Sequence, residues 1–156
     1  MDVSSFDEIE ADFNQRVREI VWCTVSTVDR RGRPRSRILH PIWEGTTGWI
    51  GTNRHSFKEK HLAANPHVSL SYWSPKHDLM YVDCTAAWDD SLDQRRRIWE
   101  LYKSTPPPLG YDPSIIWPGP EDESFGLLRL TPWRIEVHSL AELMERRPSR
   151  VWRGAP

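Results

Sequence analysis

Two spacings of apolar residues follow each other along the chain and separate helices from strands. Near the start, apolar side chains recur every three or four residues, the spacing of one helix face: Phe6, Ile9, Phe13, Val17 and Ile20. Ser5 and Glu8 have the spacing of a capping box, so we expect a helix over about 5–18. From Val21 the period becomes two, and the segment VDRRG closes this run, which predicts a strand followed by a hairpin turn.

The same two periods predict the remaining elements. Strand-like runs cover 21–26, 33–43, 49–52, 67–73, 79–88 and 125–140. Helical segments are expected at 57–64, 91–102 and 139–146, and Pro132 predicts a bulge or an edge position in the last strand. Successive antiparallel strands with helices at the corners are typical of a small barrel. We therefore expect a mainly β (α+β) fold, a six-stranded antiparallel β-barrel with peripheral helices.

The length of 156 residues suits one compact core and is short for two. We expect a single domain over 1–156, with an N-terminal helical segment at about 1–20, a Pro-rich loop at 104–124 and a basic tail at 147–156. Six prolines between 106 and 120 make the loop semi-rigid. Its Tyr111 and Trp117 could cover a substrate as a lid or clamp a neighbouring subunit.

The charge balance excludes a strong field around the whole molecule. Twenty-one basic and 22 acidic residues give a net charge of −1, which argues against a nucleic-acid partner or an anionic membrane surface. No apolar stretch approaches the length of a membrane span, and the first residues do not resemble a signal peptide. Cys23 and Cys84 lie in apolar runs outside any metal-binding motif, which predicts free buried thiols in a cytoplasmic protein.

Histidine spacing does not predict a metal site. His55, His61 and His67 recur every six residues, which fits neither one helix face nor a common zinc signature. His40 follows Arg37 on the same expected strand and could approach a ligand or act as a hydrogen-bonded structural residue. The sequence leaves these two roles of His40 open.

Basic and hydroxyl side chains concentrate in two neighbouring segments. They are Arg35, Ser36 and Arg37 on one strand, and Thr52, Asn53, Ser56 and Lys58 about fifteen residues later. Ser56 and Glu59 again have capping-box spacing, and the free N–H groups and dipole of a helix N-terminus favour an anion. Arg37 could hold a phosphate through two hydrogen bonds and Lys58 could act as a point charge. The alternative is an ordinary helix cap beside solvated basic residues.

The segments RILHP and GTNRHSFKEKHLAANPHVSLSYW together resemble the pyridoxamine 5'-phosphate oxidase-like, flavin-binding split-barrel superfamily. The pattern of that superfamily has Arg-x-Val on one strand and then T-N-x-x-S-x-K-x-x-x-L-x-x-N-P-x-V-x-L. The chain matches it at Thr52, Asn53, Ser56, Lys58, Leu62, Asn65, Pro66, Val68 and Leu70. The resemblance extends over nearly the whole chain and implies that the barrel is a split barrel.

The resemblance also implies a cofactor site at a homodimer interface. In that family the Arg, Thr, Ser and Lys positions hold the phosphate of FMN, and these positions are Arg37, Thr52, Ser56 and Lys58 here. Backbone groups of 36–39 would meet the edge of the isoalloxazine ring, and Tyr72 and Trp73 could wall it from the partner subunit. The expected cofactor-binding residues are Arg35, Ser36, Arg37, Ile38, Leu39, Thr52, Asn53, Ser56, Phe57, Lys58, Tyr72 and Trp73.

The chain departs from true pyridoxamine phosphate oxidases in two places. Their C-terminal Trp-x-x-x-Arg-Leu-His-type motif is missing, since HSLAELMERRPSR follows RIEV, and Met80 falls where they carry a Gln near the flavin. The resemblance is therefore closer to general-stress-type flavin proteins and to reductases that use a deazaflavin coenzyme. It implies an FMN-dependent oxidoreductase for a small organic substrate or a nicotinamide, with no catalytic side chain identified.

Three alternatives stay open from the sequence. A deazaflavin coenzyme carries the same phosphate-bearing ribityl side chain, and its longer anionic tail could use Arg33, Arg54 and Lys60. A non-catalytic flavin or haem carrier or sensor could use the same fold. A nucleic-acid barrel that stacks bases on Tyr72 and Trp73 is a weaker alternative, against which the near-neutral charge counts.

Overall fold

The structure of the protein is a computed structural model that describes residues 1–154. Within that range the chain forms nine strands, four α-helices and two short 3₁₀ turns. The strands are β1 (Asp2–Val3), β2 (Cys23–Val28), β3 (Pro34–Leu39), β4 (Ile42–Glu44), β5 (Thr47–Asn53), β6 (His67–Trp73), β7 (Asp78–Trp88), β8 (Phe125–Ser139) and β9 (Arg150–Arg153). The helices are α1 (Glu10–Glu19), α2 (Phe57–Ala64), α3 (Leu92–Ser104) and α4 (Leu140–Met144), and the 3₁₀ turns are Phe6–Glu8 and Pro113–Ile115.

All nine described strands belong to one sheet. Seven of them follow the order β1-β9-β8-β7-β6-β2-β3, and β5 and β4 form a branch beside β8. The long strand β8 pairs with β7 along one edge and with two strands along the other. Residues 125–130 pair with β5, and residues 134–137 pair with β9. Strand β4 extends the β5 branch, and β1 with β9 is the one parallel pair of the described residues. In residues 1–154 the two outer branches do not close on β3, which confirms the mainly β, split-barrel architecture.

The six strands expected from the sequence correspond to β2, β3, β5, β6, β7 and β8. The expected run 33–43 is interrupted after Leu39, because Pro41 has no N–H group to donate to a neighbouring strand. The bulge expected at Pro132 is confirmed by a register shift between Asp83 and Cys84, opposite Pro132. Strands β1 and β9 were not expected, since segments of two to four residues are too short to show a period, and β4 was expected only as the end of the run 33–43.

The two ends of the chain also differ from expectation. Residues 6–8 form a 3₁₀ turn capped by Ser5, and the first α-helix begins only at Glu10. The segment expected as a basic tail forms β9, which pairs with β8 and β1; its last two residues, 155–156, lie outside the described range. No helix in residues 1–154 combines the length and apolar character needed to cross a membrane.

The inner faces of the strands and the apolar side of α1 form the main core. Cys23 and Cys84 are both buried there as free thiols, and burial raises the pKa of Cys23 to about 12. Tyr72 also points into this core, where its hydroxyl accepts a hydrogen bond of 3.0 Å from Trp43 Nε1. Burying these rings and aliphatic side chains supplies the main stabilisation of the fold.

A second apolar cluster joins α3 to the barrel. Ile98 and Tyr102 of α3 pack on Ile42, Trp49 and Leu127. The Tyr102 hydroxyl, fully buried, lies 2.8 Å from the carbonyl oxygen of His40 and 3.1 Å from that of Trp49. The α3 helix therefore contacts β5 and the segment just after β3, which flank the candidate site described below.

Replacing Tyr102 by Phe should lower the free energy of unfolding by about 1–3 kcal/mol, because buried carbonyl groups lose their hydrogen-bond donor. Urea unfolding followed by tryptophan fluorescence measures the change. Tyr81→Phe is the matched control, since the Tyr81 side chain is partly exposed on β7. An equal loss in both variants would contradict a specific role for the Tyr102 hydroxyl.

Candidate cofactor-phosphate site

Arg37 is positioned by the pairing of β2 with β3. It lies opposite Val25, and since side chains alternate along a strand it shares the inner face with Thr27. Arg37 Nη1 donates a hydrogen bond of 2.8 Å to Thr27 Oγ1, and the same oxygen lies 2.9 Å from Nδ1 of His61 on α2. This chain of contacts fixes the guanidinium group between the hairpin and the helix.

Lys58 brings a second positive charge to the same place. Its side chain is only 9% exposed and has no acidic partner within the described residues. Burial, and then the charge of Arg37, lower the pKa of Lys58, while burial also lowers the pKa of Arg37. Two cations that destabilise each other in a half-buried pocket form a site for an anion.

Ser56 precedes the first residue of α2 but does not cap the helix. Its backbone is extended, its side chain makes no capping hydrogen bond, and its Oγ is buried without a partner in residues 1–154. The expected capping box is therefore wrong, because Glu59 accepts a hydrogen bond of 2.7 Å from Arg54 instead. A buried hydroxyl without a partner is costly, which indicates a partner that the described chain does not supply. We call Arg37, Ser56 and Lys58 the cationic cradle.

Thr52 and Asn53 end β5 and lead into the cradle. Thr52 is buried, whereas Asn53 is exposed and its Oδ1 accepts a hydrogen bond of 2.9 Å from the N–H of His55. Asn53 therefore shapes the turn before α2, as Asn side chains do when they bond to the backbone two residues on. This turn sets the position of Ser56 relative to β5.

An open cleft of about 520 Å³ adjoins the cradle, and its lining residues are Asp29, Arg33, Arg35, Ser36, Arg37, Phe57 and His61. Arg35, expected to bind the cofactor, contacts Asp29 at 3.1 Å, and Arg33 contacts the same oxygen at 2.9 Å. Burial raises the pKa of Asp29. The backbone N–H groups of Arg33 and Arg31 and the guanidinium groups of Arg33 and Arg35 donate hydrogen bonds to its carboxylate, which hold that pKa well below its usual range. Asp29 thus offsets part of the positive charge in the outer part of the cleft, whereas Arg37 has no acidic partner among residues 1–154.

Three expected site residues lie away from the cradle. Tyr72 is fully buried in the core, so it cannot wall a flavin ring, because alternation along β6 turns it inward and Trp73 outward. Ile38 is likewise on the outer face of the sheet, paired with Thr24. Ile38 and Trp73 are more than half exposed and remain accessible to a second subunit. Met80 is also fully buried in the core.

A second concavity, which we call the aromatic slot, has a volume of about 260 Å³ and was not expected from the sequence. Its lining residues are Trp22, Leu39, His40, Gly51, Thr52, Asn53, Tyr111, Ile115, Ile116 and Trp117. His40 acts structurally there, since its Nε2 lies 2.7 Å from the carbonyl oxygen of Leu109, and burial lowers its pKa. The two aromatic residues of the Pro-rich loop, Tyr111 and Trp117, were the one sequence signal for this slot.

Thr27 and His61 were also missed. Thr27 continues the inward period of Cys23 and Val25, and His61 follows Lys58 by one helical turn. Both signals exist in the sequence, but neither predicts that one hydroxyl contacts an arginine and a histidine together. Their connection depends on how α2 packs against β2.

Residues 1–154 form a split barrel with the cationic cradle near the end of β5 and the start of α2, and this fold places the protein in the split-barrel class. The sequence profile of the family described as Pyridoxamine 5'-phosphate oxidase matches residues 9–139. The chain therefore belongs to the pyridoxamine 5'-phosphate oxidase family, which confirms the resemblance carried by the cradle segment. No protein of curated function matches the sequence.

Solved structures share this fold at low sequence identity. A Clostridium acetobutylicum protein related to general stress protein 26 of B. subtilis is 14% identical, with a TM-score of 0.76 over 94% of this chain and 95% of that one. A pyridoxamine 5'-phosphate oxidase-related, FMN-binding protein of Nostoc punctiforme is 16% identical, with a TM-score of 0.64 over 99% and 98%. The haem storage protein HutZ of Vibrio cholerae is 18% identical, with a TM-score of 0.59 over 80% and 89%. These similarities establish the fold.

Replacing Lys58 by Met removes the buried charge and keeps the length of the side chain. In buffer free of phosphate and sulfate, Lys58→Met should raise the free energy of unfolding by on the order of 1 kcal/mol, the cost of a buried polar group without a partner. The pKa of Lys58 is lowered in the folded state, so the wild-type chain gains stability as pH rises through that pKa. The advantage of the variant should therefore shrink at alkaline pH.

Denaturant unfolding at neutral and alkaline pH measures both effects. Lys103→Met, on the exposed side of α3, is the matched control and should show neither of them. A stabilisation that is the same in both variants, or that does not change with pH, would show that Lys58 carries no uncompensated charge.

Proposed function

We propose that the protein binds FMN through the cationic cradle and acts as a flavin-dependent oxidoreductase on a small organic substrate or a nicotinamide. The observation that carries the proposal is the buried Ser56 Oγ, without a partner in residues 1–154, two residues before Lys58, whose charge is opposed by that of Arg37. A phosphate monoester supplies both the negative charge and the hydrogen-bond acceptors that this cradle lacks. Family membership supports the same ligand.

Each part of the chain has a role toward this cofactor. Arg37 and Lys58 would hold the phosphate, with Ser56 and Thr52 as hydroxyl partners. Strand β3 lies at the edge of the described sheet, so backbone groups of 36–39 on its free side are available to the polar edge of the isoalloxazine ring. Bound flavin would supply the redox chemistry, exchanging a hydride or electrons with the substrate. No side chain is required as an acid or base.

The basic residues around the cradle favour FMN over a deazaflavin coenzyme with a long anionic tail. Arg54 contacts Glu59 at 2.7 Å and Asp90 at 3.2 Å, and its guanidinium lies 4.6 Å from the centre of the Trp88 ring. Arg33 is held by Asp29. Two of the three residues that could meet a longer tail are therefore already paired within the chain.

A haem carrier is the second candidate, because the haem storage protein HutZ shares the fold. The two histidines nearest the site give it less support. His40 Nε2 is bonded to the Leu109 carbonyl, and His61 Nδ1 is bonded to Thr27. An iron ligand from either ring would have to use its remaining nitrogen.

The outer face of the sheet supports a homodimer that covers the cofactor. Ile38 is 58% exposed and Trp73 55% exposed, and Tyr81 lies partly exposed beside them on β7. Apolar side chains of this size on a flat sheet face are typical of protein interfaces. We propose that this face meets a second copy of the chain, in the cytoplasm and without a nucleic-acid partner.

Purified protein should bind FMN, and Arg37→Ala should weaken that binding by about 1.5–3 kcal/mol, or roughly 10- to 150-fold in Kd, the scale of a charge-assisted hydrogen bond. Flavin fluorescence and calorimetry measure the affinity. Arg129→Ala, which removes an exposed arginine from β8, is the matched control and should keep the wild-type affinity.

The same preparations should be titrated with the deazaflavin coenzyme and with haem. Tighter binding of either one than of FMN would overturn the cofactor assignment. Bound FMN that nicotinamide coenzymes cannot reduce would instead indicate a carrier and contradict the enzymatic part of the proposal.

A further inference from the structure

The aromatic slot is built by the Pro-rich loop against the barrel. His40, Tyr111 and Trp22 stand next to one another, with ring centres 5.0 Å apart for Trp22 and His40 and 5.1 Å apart for His40 and Tyr111. Trp117 also lines the slot, and it is buried against Phe125 with ring centres 5.0 Å apart. These contacts hold a concave aromatic wall in place.

Several hydrogen bonds fix the loop in this position. The Tyr111 N–H donates to the Tyr102 carbonyl at 3.0 Å, and His40 Nε2 lies 2.7 Å from the Leu109 carbonyl. At the other end of the loop, Arg95 Nη2 donates to the Asp122 carbonyl. The slot therefore exists before any ligand arrives, which lowers the ordering cost of binding.

The slot contains no charged side chain among its described lining residues. It has no Asp, Glu, Lys or Arg, and burial lowers the pKa of its one imidazole, His40, which disfavours a positive charge there. An ionised ligand group in this slot would lose its hydration without gaining a counter-charge. The adjoining cleft, in contrast, is lined by three arginines.

The slot is lined by residues from the same two segments that carry the cradle. Thr52 and Asn53 line it, and Leu39 lies two residues beyond Arg37 on the same face of β3. A flavin whose phosphate occupies the cradle and whose ring follows β3 would therefore present that ring near the slot. The volume of about 260 Å³ is below that of most drug-sized pockets and suits one or two fused rings.

We propose that the aromatic slot is the substrate pocket and takes a planar, uncharged aromatic compound of one or two fused rings. This inference rests on the proposed flavin function, which leaves the substrate unidentified. The ring of the substrate would stack on the aromatic wall, and the uncharged slot would disfavour charged compounds. Ile115 and Ile116, both exposed at the mouth, add apolar contact.

The test compares naphthalene-2-methanol with naphthalene-2-sulfonate by calorimetry on FMN-saturated protein. The two probes share one ring system and differ in charge, and occupation of the cradle by FMN prevents the sulfonate from binding there. We expect the neutral probe to bind at least tenfold more tightly. If the protein does not bind FMN, the titration is repeated with inorganic phosphate in the cradle, so that failure of the flavin proposal stays separate from failure of this one.

Two variants locate the binding. Ile116→Glu places a charge at the mouth of the slot and should weaken binding of the neutral probe at least tenfold, whereas Leu143→Glu on α4 should leave it unchanged. Both side chains are 59% exposed, so neither substitution disturbs a core. Four results would each overturn the proposal. They are equal affinity for the two probes, no binding of the neutral probe, displacement of the neutral probe by FMN, and unchanged binding of the neutral probe by Ile116→Glu.

Discussion

Arg37 and Lys58 hold like charges close together in a half-buried pocket, and the surrounding architecture serves to keep them there. The guanidinium is fixed through Thr27 to His61, so the β2–β3 hairpin and α2 must dock in one relative position. The Asn53 turn then places Ser56 at the start of α2. Such an arrangement raises the free energy of the unliganded chain and is typical of sites built for a ligand of opposite charge.

Much of this could be predicted from the sequence, because the relevant signals are local. Alternation predicted β2, β3, β5, β6, β7 and β8, and Pro132 marked the bulge in β8. The cradle segment 52–58 could be recognised because its basic and hydroxyl residues are close together in sequence. Its family could be recognised from the same residues.

Other features depend on contacts between distant segments, and no local signal carries them. The β1–β9 pair joins residues about 150 positions apart, each in a strand too short to show a period. Ser56 has the residue type and spacing of a cap, but its hydroxyl makes no capping hydrogen bond, and the Glu59 carboxylate binds Arg54. Tyr72 is buried and Trp73 is exposed because neighbouring side chains on a strand point to opposite faces. With aromatic residues at both positions, the sequence does not show which of the two points inward.

Asp29 has a consequence for the size of anion that the protein accepts. Its one carboxylate binds both Arg33 and Arg35 and offsets one of their two positive charges, so less charge is left there to attract a second phosphate group. Under the proposed function, Asp29 would therefore favour a flavin mononucleotide over a dinucleotide with its bridging pyrophosphate, and an acidic residue would contribute to discrimination by ligand length.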